Sequence, residues 1–98
     1  MTINKQIQDD KLTVSLIGRL DTTTAPELEQ ELKNSLDGVK ELELNLEELE
    51  YISSAGLRVL LAAQKTMNTQ GGMKVTGVNE VVMEVFEVTG FSDILTIE

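Results

Sequence analysis

Residues 41–57 read ELELNLEELEYISSAGL, and residues 58–72 continue RVLLAAQKTMNTQGG. Leu42, Leu44 and Leu46 alternate with Glu41, Glu43 and Asn45, the period-2 signature of a strand with one wet face. A sheet covered by helices on both sides would show a solid apolar run, so the alternation predicts helices packed mainly on one face. From Ser54 to Thr69 the stretch is rich in Ala and Leu, with Leu57, Leu60, Leu61 and Ala63 spread around the first three turns. That pattern predicts the most buried helix of the domain, ended by Gly71-Gly72. A polar-faced strand running directly into a buried helix is the repeating unit of an α/β fold.

The flanks extend the same plan. Residues 2–8 and 12–18 alternate around Asp9-Asp10 and predict a hairpin. Thr24-Ala25-Pro26-Glu27 has capping-box spacing, with Thr24 as the expected N-cap. Leu28, Leu32 and Leu36 then form a narrow stripe on a surface helix of roughly 13 residues, with Gly38 as its expected C′ residue. Met73 to Thr76 reads as a short strand, and Asn79 as the cap of a third helix. In that helix Val81, Val82, Val85 and Phe86 are expected to face inward, Gly90 to close it, and Ile94 to Ile97 to form a last strand. The order is β-β-α-β-α-β-α-β with a mostly parallel central sheet.

Composition narrows the chemistry. The chain has 98 residues, enough for one domain, and neither cysteine nor histidine. Disulfides, thiol catalysis, a Ser-His-Asp triad and the usual zinc ligand sets are therefore excluded. Seventeen acidic against 8 basic residues leave a net charge of −9, which repels nucleic acid and anionic membrane surfaces alike. No segment has the apolar length of a membrane span. MTINKQIQDDK is too polar for a secretory signal, so a cytoplasmic location is expected.

In such a sheet, partners meet the loops at the carboxyl ends of the strands. Three loops should gather there: Leu20 to Thr24, Glu50 to Gly56, and Gly77 to Asn79. The middle one places Ser53 and Ser54 where a helix begins and Gly56 in its first turn. No Asp or Glu stands in that turn, so the positive end of the helix lacks an anion of its own. A phosphate on a serine there would meet free backbone N–H groups. The plainer reading is that two serines before a buried helix are a cap and that Gly56 permits close helix–strand packing.

The segment ISSAGLRVLL, preceded by LNLEELEY, resembles the signature of STAS domains, specifically the bacterial anti-sigma factor antagonists. The resemblance covers nearly all of residues 1–98 and includes Gly18-Arg19-Leu20-Asp21, Gly71-Gly72 and VFEVTGFSDIL. It implies a non-enzymatic phospho-switch without a cofactor or metal of its own. The unphosphorylated form would bind an anti-sigma factor with serine-kinase activity, the kinase supplying bound ATP, and so free a sigma factor. Phosphorylation would release it, and a metal-dependent serine phosphatase would restore it. The family's Asp-Ser-x-Gly pattern puts the phosphoacceptor at Ser54, with Ser53 as second choice. The family aspartate falls on Ser53, a departure. Asp21, Thr22, Thr23, Ser53, Ala55, Gly56 and Arg58 are the expected partner contacts; Asp21 reads equally well as an Asx turn, and Arg58 as a solvated side chain. A monomer or weak dimer is expected.

Two other functions use the same residues. A STAS accessory subunit or scaffold, in a lipid-transport or stress-signalling complex, would use the serines as contacts and not as a switch. A Ser–Lys hydrolase would need Lys65 or Lys74 beside Ser54, yet the chain has neither a G-x-S-x-G elbow nor a Walker A loop.

Overall fold

A computed structural model describes all 98 residues. The elements are β1 (Thr2–Gln8), β2 (Lys11–Leu20), α1 (Ala25–Ser35), β3 (Glu41–Ile52), α2 (Ser54–Gln70), β4 (Gly72–Thr76) and α3 (Glu80–Thr89), followed by a 3₁₀ turn at Phe91–Asp93. One sheet has the order β1-β2-β3-β4. The β1–β2 hairpin is antiparallel, and β2–β3 and β3–β4 are parallel.

The alternating leucines do what their period requires. Leu12, Val14 and Leu16 of β2 and Leu42, Leu44 and Leu46 of β3 are buried, while Thr13, Ser15, Glu43 and Asn45 between them stay partly exposed. The wet face carries Glu43, which pairs with Lys11 at 3.2 Å and Lys74 at 3.9 Å and accepts the Thr76 hydroxyl at 3.0 Å. Partial burial raises the Glu43 pKa, but the Thr76 hydroxyl and the two lysines outweigh it and hold the carboxyl below its ordinary value. On the dry face α2 packs against β3 and β4, α1 against α2, and α3 against β3. Helices therefore cover one face, as the alternation predicts.

β3 runs further than its alternation suggests. Its buried residues switch spacing from Leu46 to Leu49 to Ile52, because the β2–β3 register slips twice, between Ser15 and Ile17 and between Gly18 and Arg19. Each slip gives β3 one extra residue, a bulge that resets which side chains face the core. Residues 50–52, expected in a loop, are thus the end of a strand.

Four further expectations are corrected. Thr24 makes no side-chain cap and has helical backbone angles. Its hydroxyl turns back instead, donating to the Arg19 carbonyl at 2.8 Å and accepting the Asp21 N–H at 2.9 Å. Gly38 is left-handed but lies two residues beyond the C-cap Leu36. The expected last strand is only a single bridge, Val75 to Ile97, because the Ile94 and Leu95 N–H groups donate back to the Phe91 carbonyl at 3.0 and 2.8 Å and leave only Thr96 to Glu98 to pair with Val75. α3 buries Val82 and Phe86, but Val81 is 57% exposed.

Candidate functional site

β2 and β3 end side by side. The Ser53 N–H donates to the Leu20 carbonyl at 2.9 Å, which joins the β3–α2 junction to the end of β2. Ser53 has extended backbone and caps α2: the Gly56 N–H donates to its Oγ at 3.4 Å. Ser54, the first residue of α2, is exposed, whereas Ser53 is half-buried. The two serines the sequence leaves in competition therefore have different surroundings. α2 has no acidic residue in its first turn.

Gly56 is buried in the packing that sets the angle of α2. A Cβ there would lie 2.7 Å from Leu20 Cγ and 2.9 Å from Ile52 Cγ1, closer than real side chains approach. Its missing side chain lets the helix start against the ends of both strands. It presents no side chain to a partner.

Asp21 organises the neighbouring turn. Its Oδ1 accepts the Thr23 hydroxyl at 2.8 Å, the Thr23 N–H at 3.0 Å and the Thr24 N–H at 3.3 Å. The Ala25 N–H donates to the Asp21 carbonyl at 2.7 Å. This is the Asx turn of the plainer reading, and the Glu27 N–H in the first turn of α1 is taken by the Thr24 carbonyl at 3.0 Å. The Thr23 hydroxyl above all, with the backbone N–H groups, holds the Asp21 carboxyl below its ordinary value of 3.8 despite some burial.

Thr22, Ala55 and Arg58 come together. With Ala25, Pro26, Glu29 and Val59 they line a shallow recess of about 250 Å³ between the starts of α1 and α2. Arg58 is exposed and stands four residues after Ser54, so the two share one face of the helix. Thr23 lies outside this recess. So does the third loop, where Asn79 donates to the Leu49 carbonyl at 2.6 Å and accepts the Val82 N–H at 2.9 Å. Asn79 pins α3 to the bulged strand.

One feature of this region has no signal in the sequence pattern. Arg19 lies over the Tyr51 ring, 4.5 Å from its centroid, and its Nε is 3.8 Å from Asp21 Oδ2. The doubly slipped register sets Arg19 opposite Tyr51, so the pair exists only once both bulges are in place.

The hydrolase constellation is not assembled. Lys65 lies 11 residues along α2 from Ser54, roughly 16 Å at the helical rise. Lys74 is the middle residue of β4 and pairs with Glu43 and Glu98. No three His, Cys, Asp or Glu side chains converge as a metal site. No helix is long and apolar enough to cross a membrane.

A four-stranded, mostly parallel sheet with helices on one face and a capped serine pair at its carboxyl edge defines a class, and residues 2–98 match the STAS domain. The chain belongs to that family. It is 32% identical over 97 residues to the anti-sigma-B factor antagonist of Staphylococcus aureus strain NCTC 8325, covering 97% of this chain and 90% of that one. A crystal structure of an anti-sigma factor antagonist from Mycobacterium paratuberculosis superposes with a TM-score of 0.88 at 26% identity, over 98% of this chain and 83% of that one. The anti-sigma factor antagonist SpoIIAA shares the fold in its unphosphorylated form, with a TM-score of 0.85 at 16% identity over 99% and 88% of the two chains. In its phosphorylated form, described for Bacillus, the values are 0.77 and 15% over 99% and 91%.

Proposed function

We propose that this protein is an anti-sigma factor antagonist switched by phosphorylation of Ser54. The observation that carries the reading is the division of labour between the serines: Ser53 caps α2, and Ser54 is exposed beside it in a first turn without an acid. The names of its relatives support the role, and the existence of SpoIIAA structures in unphosphorylated and phosphorylated forms supports a phosphorylation switch on this fold. Unphosphorylated, the surface around Ser54, Ala55, Arg58, Thr22 and Asp21 docks an anti-sigma factor with serine-kinase activity, which brings its own ATP. Phosphorylation adds about −1.5 to −2 charges. Removing that charge from water at an interface is costly without a cation to receive it, while free N–H groups at the helix start tolerate it within the domain. The complex is weakened and the fold is kept. A metal-dependent serine phosphatase resets the switch, and the cycle is cytoplasmic.

Ser53 in place of the family aspartate suits this scheme. Serine and aspartate cap helices comparably, so the backbone at the acceptor is preserved while one negative charge beside it is lost.

The test is a pull-down from the source organism with wild type, Ser54→Ala and Ser54→Asp as baits, with captured proteins identified by mass spectrometry. Wild type and Ser54→Ala should retain an ATP-binding serine kinase. Ser54→Asp should lose about a thousandfold in affinity for it, equivalent to about 4 kcal/mol. Incubating the purified pair with ATP should place one phosphate on Ser54 and none on Ser53. Equal retention by all three baits, or phosphate on Ser53, would sink the proposal.

A further inference from the structure

The outward face of α3 differs from those of the other two helices. α1 presents Glu27, Gln30, Lys33 and Asn34 to solvent, and α2 presents Arg58, Lys65, Asn68 and Thr69. α3 presents valines: Val81 is 57% exposed and Val88 is 80% exposed, with half-buried Val85 between them. They recur at i, i+4 and i+7, so they form one stripe about two turns long. A recess of about 290 Å³ lies along it, lined by Val81, Glu84, Val85, Val88 and Thr89. Val85 packs partly against the core, but the core does not account for the exposed Val81 and Val88, because Val82 and Phe86 are the residues of α3 that it buries. Nor does helix formation, since valine is a poor helix former. An apolar stripe rimmed by polar groups marks an interaction surface.

The rim decides the partner. Glu80, Glu84 and Glu87 are the ionisable residues of α3, which carries no Lys or Arg. A second copy laid on this face would set these glutamates against their equivalents, and each chain already has a net charge of −9. An anionic membrane meets the same repulsion. The complementary occupant is an amphipathic helix with apolar anchors at matching spacing and lysine or arginine beside them.

We infer that the Val81–Val85–Val88 face of α3 is a second docking surface, built for a basic amphipathic helix of a partner protein and separate from the surface around Ser54. The probe is a fluorescent synthetic amphipathic helix of leucine and lysine, followed by anisotropy with the full-length chain. Binding should weaken by at least about tenfold in Val88→Glu and in the double variant Glu84→Lys/Glu87→Lys. These positions are exposed, and circular dichroism should show the fold unchanged. The matched double variant Glu27→Lys/Glu29→Lys on α1 alters net charge equally and should leave affinity within about twofold, as should Ser54→Asp. Failure of wild type to bind overturns the inference. So does an equal loss in the α1 and α3 charge reversals, which would reduce binding to general acidity. So does a wild-type dimer in sedimentation that Val88→Glu disperses, which would make the face a self-interface.

Discussion

α1 and α2 begin at the same edge of the sheet, and their first turns are built in opposite ways. α1 starts among carboxylates of its own: Asp21 takes the Thr23 and Thr24 N–H groups just before the helix, and Glu27 stands in the first turn. α2 is capped by a neutral serine, has no acid in its first turn and carries Arg58 a turn further on. One helix start has spent its positive end on side chains. The other leaves it available for an anion arriving on Ser54. The difference teaches that two starts alike in fold can differ in what they receive, and that the placement of a few charges decides it.

The comparison can be broken most forcefully at Gly56. Gly56→Val puts methyl groups into space held by Leu20 and Ile52 and should cost about 3 kcal/mol, read as a lower urea midpoint. Glu27→Val, on the exposed side of α1, loses only a dipole contact and some helix propensity and should cost no more than about 1 kcal/mol. Equal midpoints would mean that the start of α2 is not wedged between the strands. Next in size is the cap. Ser53→Ala should lose about 1 kcal/mol, while Ser54→Ala should change stability by no more than about 0.5 kcal/mol. If the larger loss fell on Ser54, the division of labour would be reversed.

A smaller effect has opposite signs at the two starts. Ser54→Asp should stabilise the isolated domain by about 0.5 kcal/mol, because it gives α2 the anion it lacks, and Glu27→Gln should destabilise it by a similar amount. Added salt should shrink both. A destabilising Ser54→Asp would show that the α2 start does not favour negative charge.

The smallest effect is a pH dependence at Asp21. Its folded pKa lies below the ordinary 3.8, so its stabilising bonds are fully present above that value and are lost as pH falls through the folded pKa. Asp21→Asn, which does not titrate, should be less stable than wild type at pH 6, and the gap should close below about pH 4. A gap independent of pH would mean that the charge on Asp21 does not matter to its turn.

Much of this was legible along the chain, and the reasons are local. Leu42, Leu44 and Leu46 mark a strand wherever they lie, because alternation has one structural solution. Asn79 caps α3 as expected, since the capping bond itself, from the Val82 N–H to Asn79 Oδ1, lies within the first turn. Readings failed where a residue had a competing partner. Thr24 has cap spacing, but the Arg19 carbonyl and the Asp21 N–H reach its hydroxyl first. Val81 sits in an apolar run, yet the core is satisfied by Val82 and Phe86. The contacts expected of Thr22, Ala55 and Arg58 meet in one recess, whereas Gly56 is buried beneath it.

The four strands of the sheet, the three helices, the wet side of the sheet and the pair of serines at a helix start without an acid can all be read along the chain. Those features follow from periodicity and from bonds within a turn. Packing between distant segments settles which serine caps and which is exposed, why Gly56 has no room for a side chain, and that Arg19 lies over Tyr51 beside Asp21. Each of these depends on the register between β2 and β3, which is set by two bulges. A bulge is a compromise between strands distant in sequence, and no local pattern encodes it.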